Sequence, residues 1–171
     1  YSDLDSLEQC IKIYNAYIAQ YPESNAAYHM RAQTHFFAGN YTSAIEDYTT
    51  AITLDTKDTY ARYMLGRAHY IMGDSIKANK DFQRVVDDTK NSVETAFAYI
   101  FLGQNEEAKH LADSILLADS VEHENRYNIA CCYSLLGDIE MAFTLLEEEL
   151  KDDYVDFTHI RRDPDFAPLR G

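Results

Sequence analysis

The 171 residues are enough to bury a core either as one globular domain or as a short array of repeats, and no run of eighteen apolar residues is present to span a membrane. Fifteen basic against twenty-nine acidic residues give a net charge of −14, which opposes the phosphate attraction behind nucleic-acid affinity and excludes nucleic acid as an expected partner. Cys10, Cys131 and Cys132 show neither metal nor redox spacing, and neighbours on a helix point about 100° apart, so the adjacent pair reads as small core residues rather than a disulfide.

At the N-terminus, Ser6 and Gln9 read as a capping box ahead of Leu7, Cys10, Ile11, Tyr14, Tyr17 and Ile18, which recur at helical spacing up to Tyr21-Pro22. By its distance to the next helical segment, 1–24 is expected to be the second helix of a partial repeat or a lid over the end of a stack. A start at Tyr1 rather than Met leaves the compartment open: cytoplasmic, or periplasmic if an upstream signal was removed.

The stretch from Tyr28 to Asp55 sets a frame that then recurs. Ala32, Gly39, Ala44 and Tyr48 return as Gly66, Gly73, Ala78, Phe82, then as Ala96, Gly103, Ala108, Ala112, and finally as Ala130, Gly137, Ala142, Leu146. The central glycines are 34, 30 and 34 residues apart, and five of the six glycines in the chain lie in the frame. Apolar residues at helical spacing on both sides of each glycine predict two helices joined by a tight turn. The glycine closes the first helix in the left-handed conformation, and small side chains seven residues before it and five after it let the helices approach. The expected pairs are about 25–38 with 41–54, 59–72 with 75–88, 91–102 with 105–118, and 123–136 with 139–151. The four residues lost between Gly73 and Gly103 fall around 87–92, so the third pair should start a turn late and locally change the superhelical angle.

This frame resembles the tetratricopeptide repeat, most closely in Leu65-Gly66-x-x-His69 with Ala78-x-x-x-Phe82, although no Trp occurs and the proline that ends such repeats survives only as Pro22. The resemblance implies an all-α fold, a right-handed α-solenoid of antiparallel helix pairs with four repeats over 25–151, and a C-terminal capping segment over 152–171. In that segment Val155, Phe157, Ile160 and Arg161 suggest an amphipathic helix. Asp163-Pro164 reads as a second helix start that brings Phe166 and Leu169 over Phe143, Leu146 and Leu150.

The first helix of each pair, helix A, carries a second apolar stripe that its packing on helix B does not require. Counted at 10, 6, 3 and 2 residues before the glycine, it holds His29, Gln33, Phe36 and Phe37 in the first pair and Tyr63, Arg67, Tyr70 and Ile71 in the second. In the family such a stripe lines the concave groove. Phe37, Ile71, Phe101 and Leu135 are expected to fill space between neighbouring A helices. Tyr63, Tyr70, Arg67, Phe97 and Tyr127 are expected to be exposed, because Tyr and Arg are favoured at binding hot spots. The candidate partner-binding set is therefore His29, Gln33, Phe36, Tyr60, Tyr63, Arg67, Tyr70, Phe97 and Tyr127. The Lys and Asn that chaperone-tail-binding relatives use are replaced at the corresponding offsets by His29 and Gln33, then Tyr63 and Arg67. A C-terminal acidic tail is accordingly not the expected ligand.

Elsewhere the chemistry is sparse. His35 and His69 share one slot of the frame with Tyr99 and Tyr133 and read as packing residues with one polar edge, and no third ligand is spaced to join them around a metal. His29, His110, His123 and His159 have no partnered nucleophile, and neither a phosphate-binding loop nor a nucleophile elbow occurs. The acid-rich stretch 119–156 reads as a solvated face. The expectation is a non-catalytic interaction module, without cofactor or metal, that binds a peptide or partner helix. The alternative is a regulatory or substrate-presenting appendage of a larger multidomain protein or enzyme. Self-association through the open N-terminal end is a further expectation.

Overall fold

A computed structural model describes residues 2–117, 123–151 and 163–170. The described residues form α-helices α1 (Ser2–Gln20), α2 (Asn25–Phe37), α3 (Tyr41–Leu54), α4 (Thr59–Ile71), α5 (Ser75–Asp88), α6 (Val93–Phe101), α7 (Asn105–Leu116), α8 (His123–Leu136) and α9 (Ile139–Lys151), followed by a 3-10 helix, Pro164–Arg170. From α2 onward the α-helices associate as consecutive antiparallel pairs, α2 with α3, α4 with α5, α6 with α7 and α8 with α9. Two compact units result, Tyr1–Asp88 with α1 and the first two pairs, and Thr89–Gly171 with the last two pairs and the 3-10 helix.

Local chemistry accounts for the boundaries. Ser24, Asp58 and Ser92 cap α2, α4 and α6 by accepting the N–H of Ala27, Ala61 and Thr95 at 3.4, 2.9 and 3.3 Å. Each helix A ends at a glycine with positive φ, 77° at Gly39 and 80° at Gly73 among them. The next residue donates its N–H back to the carbonyl five residues earlier, Asn40 to His35 at 2.8 Å and Asp74 to His69 at 2.9 Å, which satisfies the last turn of the helix. The shortened α6 begins at Val93, after a loop that starts the second unit where the sequence is four residues short.

The small residues of the frame lie where the paired helices meet. Ala32, Ala44, Ala78, Ala96, Ala108, Ala130 and Ala142 are fully buried. Gly66 is the tightest of these approaches: a Cβ added to it would stand 2.7 Å from Cε1 of the fully buried Phe82. Cys131 and Cys132 are buried, whereas Cys10 is half-buried.

Three local expectations are corrected. The first helix begins at Ser2, so Ser6 lies inside α1 and is no cap. The 3-10 helix starts at Pro164 after Asp163, but it packs on α8, with Ser134 Oγ donating to the Asp165 carbonyl at 2.9 Å; Phe166 is buried there and Phe143 on α9 stays exposed. Glu149 is fully buried within the acid-rich stretch because Arg126 Nη1 donates to its Oε1 at 2.8 Å. The helix expected around Val155, Phe157, Ile160 and Arg161 lies outside the described residues.

Candidate functional site

In the first unit, α2 and α4 stand side by side and touch through the stripe. His29 stacks on Tyr60 with centroids 5.4 Å apart, Gln33 Nε2 donates to the Tyr60 hydroxyl at 3.0 Å, and the Arg67 guanidinium lies 5.7 Å from the Phe36 ring and 5.8 Å from that of Tyr63. The structure thus brings together seven of the nine residues singled out from sequence, those from His29 to Tyr70. Phe97 and Tyr127 belong to the second unit.

Exposure divides these residues differently from the sequence expectation. Tyr70 is 54% exposed and Arg67, His29, Gln33 and Tyr60 are half-buried, whereas Tyr63, Phe97 and Tyr127 retain only 4, 5 and 7% and Phe36 is also buried. Tyr63 sits in mid-helix with its ring 6.3 Å from that of Phe82 on helix B. Tyr127 is covered by Phe166 at 5.5 Å and donates its hydroxyl to Asp163 Oδ2 at 2.7 Å, and burial with that carboxylate pushes its phenol far up. Conversely, Phe37 and Ile71 are 63 and 46% exposed instead of filling space. Both are the last residue of their helix. Phe101 and Leu135 are half-buried.

A polar layer lies beneath this face. His29 Nδ1 is 2.7 Å from Asp58 Oδ2, and Arg31 grips Asp47 and Asn15, tying α1, α2 and α3 together. Burial presses the Asp58 carboxyl upward, but the His29 hydrogen bond, the Ala61 N–H and the His29 charge outweigh it and hold the group low. His69 Nδ1 lies 2.8 Å from Asp81 Oδ2, and burial raises the Asp81 carboxyl despite that partner. His35, in the slot equivalent to His69, keeps a buried Nδ1 without a hydrogen bond, and burial lowers its affinity for a proton.

One cluster was not legible in the sequence. Cys131 Sγ and carboxylate oxygens of Asp163 and Asp165 lie within 4.8 Å of one another. Asp163 is already committed as a cap, with Oδ2 accepting from Tyr127 and Oδ1 from the Asp165 N–H at 2.9 Å.

Comparison with known proteins places these features. Residues 26–58 and 123–148 match the family model described as Tetratricopeptide repeat. A 71-residue stretch is 42% identical to a chloroplastic protein of Arabidopsis thaliana, covering 40% of this chain and 21% of that protein, so the match spans about a fifth of the relative's length. Among solved structures, a tetratricopeptide repeat protein from Parabacteroides merdae aligns with a TM-score of 0.58 and 18% identity, over 86% of this chain and 59% of that one. YrrB, described as a TPR protein with an unusual peptide-binding site, aligns with a TM-score of 0.50 and 18% identity, over 88% and 79% of the two chains.

Proposed function

We infer that this chain of tetratricopeptide repeats serves as a protein-interaction module, and that the α2–α4 face of its first unit receives a segment of a partner protein. The observation that carries the reading is the exposure of Phe37, Tyr70 and Ile71 at the ends of two adjacent A helices. Large apolar side chains held open on a rigid helical layer are what a peptide or partner helix buries on docking. His29, Gln33, Tyr60 and Arg67 extend the face with hydrogen-bonding edges, while Phe36 and Tyr63 support it from below.

The test is affinity capture from the native cell with the wild-type chain and with Phe37→Ser/Ile71→Ser as baits, followed by mass spectrometry. Both sites are exposed, so the helical circular dichroism of the double variant should be unchanged. The expected result is loss of at least one specifically retained protein; identical captured sets would overturn the reading.

A further inference from the structure

We propose that the outward face of α1, made of Gln9, Ile13, Ala16, Tyr17, Gln20 and Tyr21, docks on the same face of a second copy of this chain, with the two helices antiparallel.

The way α1 is held decides which face is free. It packs on α2, and on that side Asn15 Oδ1 accepts from Arg31 Nη1 at 2.6 Å. Two residues along a helix turn a side chain by about 200°, so Ile13 and Tyr17, each two residues from Asn15, point away from α2. Their exposure agrees: Ile13 keeps 65% and Tyr17 48%, while Ile18 is buried and Leu7, Ile11 and Tyr14 are half-buried. Positions 9, 13, 16, 17 and 20 follow the spacing of one helical face, and all five are exposed. The Tyr21 N–H donates to the Tyr17 carbonyl at 2.9 Å, which carries the turn one residue past Gln20, and the two tyrosine rings lie 4.8 Å apart. Ala16, small and central, lets another helix backbone come close.

Charge selects the occupant. From Ile13 to Pro22 no residue is charged, and the stretch is flanked by Lys12 and Glu23, both exposed and, among the described residues, in no ion pair. A wholly acidic or wholly basic partner would meet a like charge at one end. A second copy laid antiparallel about Tyr17 would not. Ile13 then faces Tyr21 of the second copy, and Lys12, five residues before Tyr17, comes beside Glu23 of the second copy, six residues after it. The two-fold axis makes this pairing twice, so the face is complementary to itself. Burial of Ile13, Tyr17 and Tyr21 from both copies supplies the affinity. One helix crossing buries less than the roughly 1,600 Å² of a standard interface, and a net charge of −14 on each copy opposes approach, which sets the dimer in the micromolar range.

The experiment is sedimentation equilibrium of the full chain across the micromolar range. The wild type should pass from monomer to dimer. Ile13→Glu/Tyr17→Glu, at exposed sites that leave the helical circular dichroism unchanged, should weaken the dimer at least tenfold. Lys12→Glu and Glu23→Lys each set like charges at both ends and should weaken it at least threefold. An equimolar mixture of those two variants pairs opposite charges at both ends and should recover the wild-type association. A chain that stays monomeric throughout, a dimer indifferent to Ile13→Glu/Tyr17→Glu, or a mixture no tighter than its components would each overturn the proposal. So would a monomeric chain whose position 17, carrying a photo-crosslinker, captures a different protein in the native cell, since the face would then belong to another occupant.

Discussion

Arg31 holds Asp47 with a two-pronged grip, Nε to Oδ2 at 2.7 Å and Nη2 to Oδ1 at 2.6 Å, across the first helix pair. Eight residues before and after the central glycine, the fourth pair has Ile129 and Leu145 in the same slots, both buried. The frame thus accepts either a charged or an apolar solution at one place. Removing Arg31 alone strands a buried carboxylate, so Arg31→Ile should cost about 2–4 kcal/mol. Arg31→Ile with Asp47→Leu, which copies the fourth pair, should recover most of that loss. Urea denaturation of both variants and of the wild type checks this; a double variant no better than the single would show that the slots are not equivalent.

The slot four residues before the glycine follows from the same pairing. In the second pair the position equivalent to Arg31 is Leu65, so the acid Asp81 is left to His69; in the first, Arg31 takes Asp47 and the buried Nδ1 of His35 goes without a hydrogen bond. His35→Phe should therefore be neutral or stabilising, whereas His69→Phe leaves Asp81 buried without its partner and should cost about 1–3 kcal/mol. Thermal melts of the two variants should fall on opposite sides of, or at unequal distance from, the wild type.

Asp58 and Asp81 titrate in opposite senses. The folded state holds Asp58 below its unfolded value, so its contribution is present above that value, about 3.9, and is lost as pH falls through the depressed folded one. Asp81 is raised by burial, so its contribution is largest at low pH and is lost as pH rises through the raised value. Relative to wild type, Asp58→Asn should become more damaging from about pH 3 to 6 and Asp81→Asn less damaging. Urea midpoints measured across that window decide it, and parallel profiles would contradict the assignment.

Gly66 lies inside α4, where alanine would ordinarily add about 1 kcal/mol to a helix. Here a Cβ meets Cε1 and Cδ1 of Phe82 at 2.7 and 2.9 Å, so Gly66→Ala should instead destabilise by about 1–3 kcal/mol. Adding Phe82→Leu should return part of that loss. Calorimetry on the single and double variants checks this: a Gly66→Ala chain as stable as the wild type or more so would overturn the steric reading.

Phe166 closes the second unit over Tyr127, and Cys131 and Cys132 are buried in the helix beneath. Burial pushes the Cys132 thiol well above its usual range. Phe166→Ala should cost about 3 kcal/mol and make these thiols react with a disulfide reagent under native conditions, where the wild type shows only Cys10. Unchanged thiol kinetics would mean that the 3-10 helix does not act as a cover.

The helix pairs and their glycine turns were legible in the amino-acid sequence because each rests on local causes, whereas the capping box read at Ser6 was not a cap and the caps Ser24, Asp58 and Ser92 were not singled out. A glycine takes positive φ wherever its neighbours lie, and small residues at fixed offsets mark where two helices touch. The four-residue deletion announced the late start of α6 for the same reason. Only the tertiary structure decided which residues of the second stripe face solvent, because one step along a helix turns a side chain by about 100° and the cover comes from elsewhere in the chain. Tyr63 in mid-helix is closed over by Phe82 and Tyr127 by Phe166, while Phe37 and Ile71 at the helix ends remain open. The acid partners of Arg31 and His69 were likewise set by pairing across helices, which spacing along one helix does not encode.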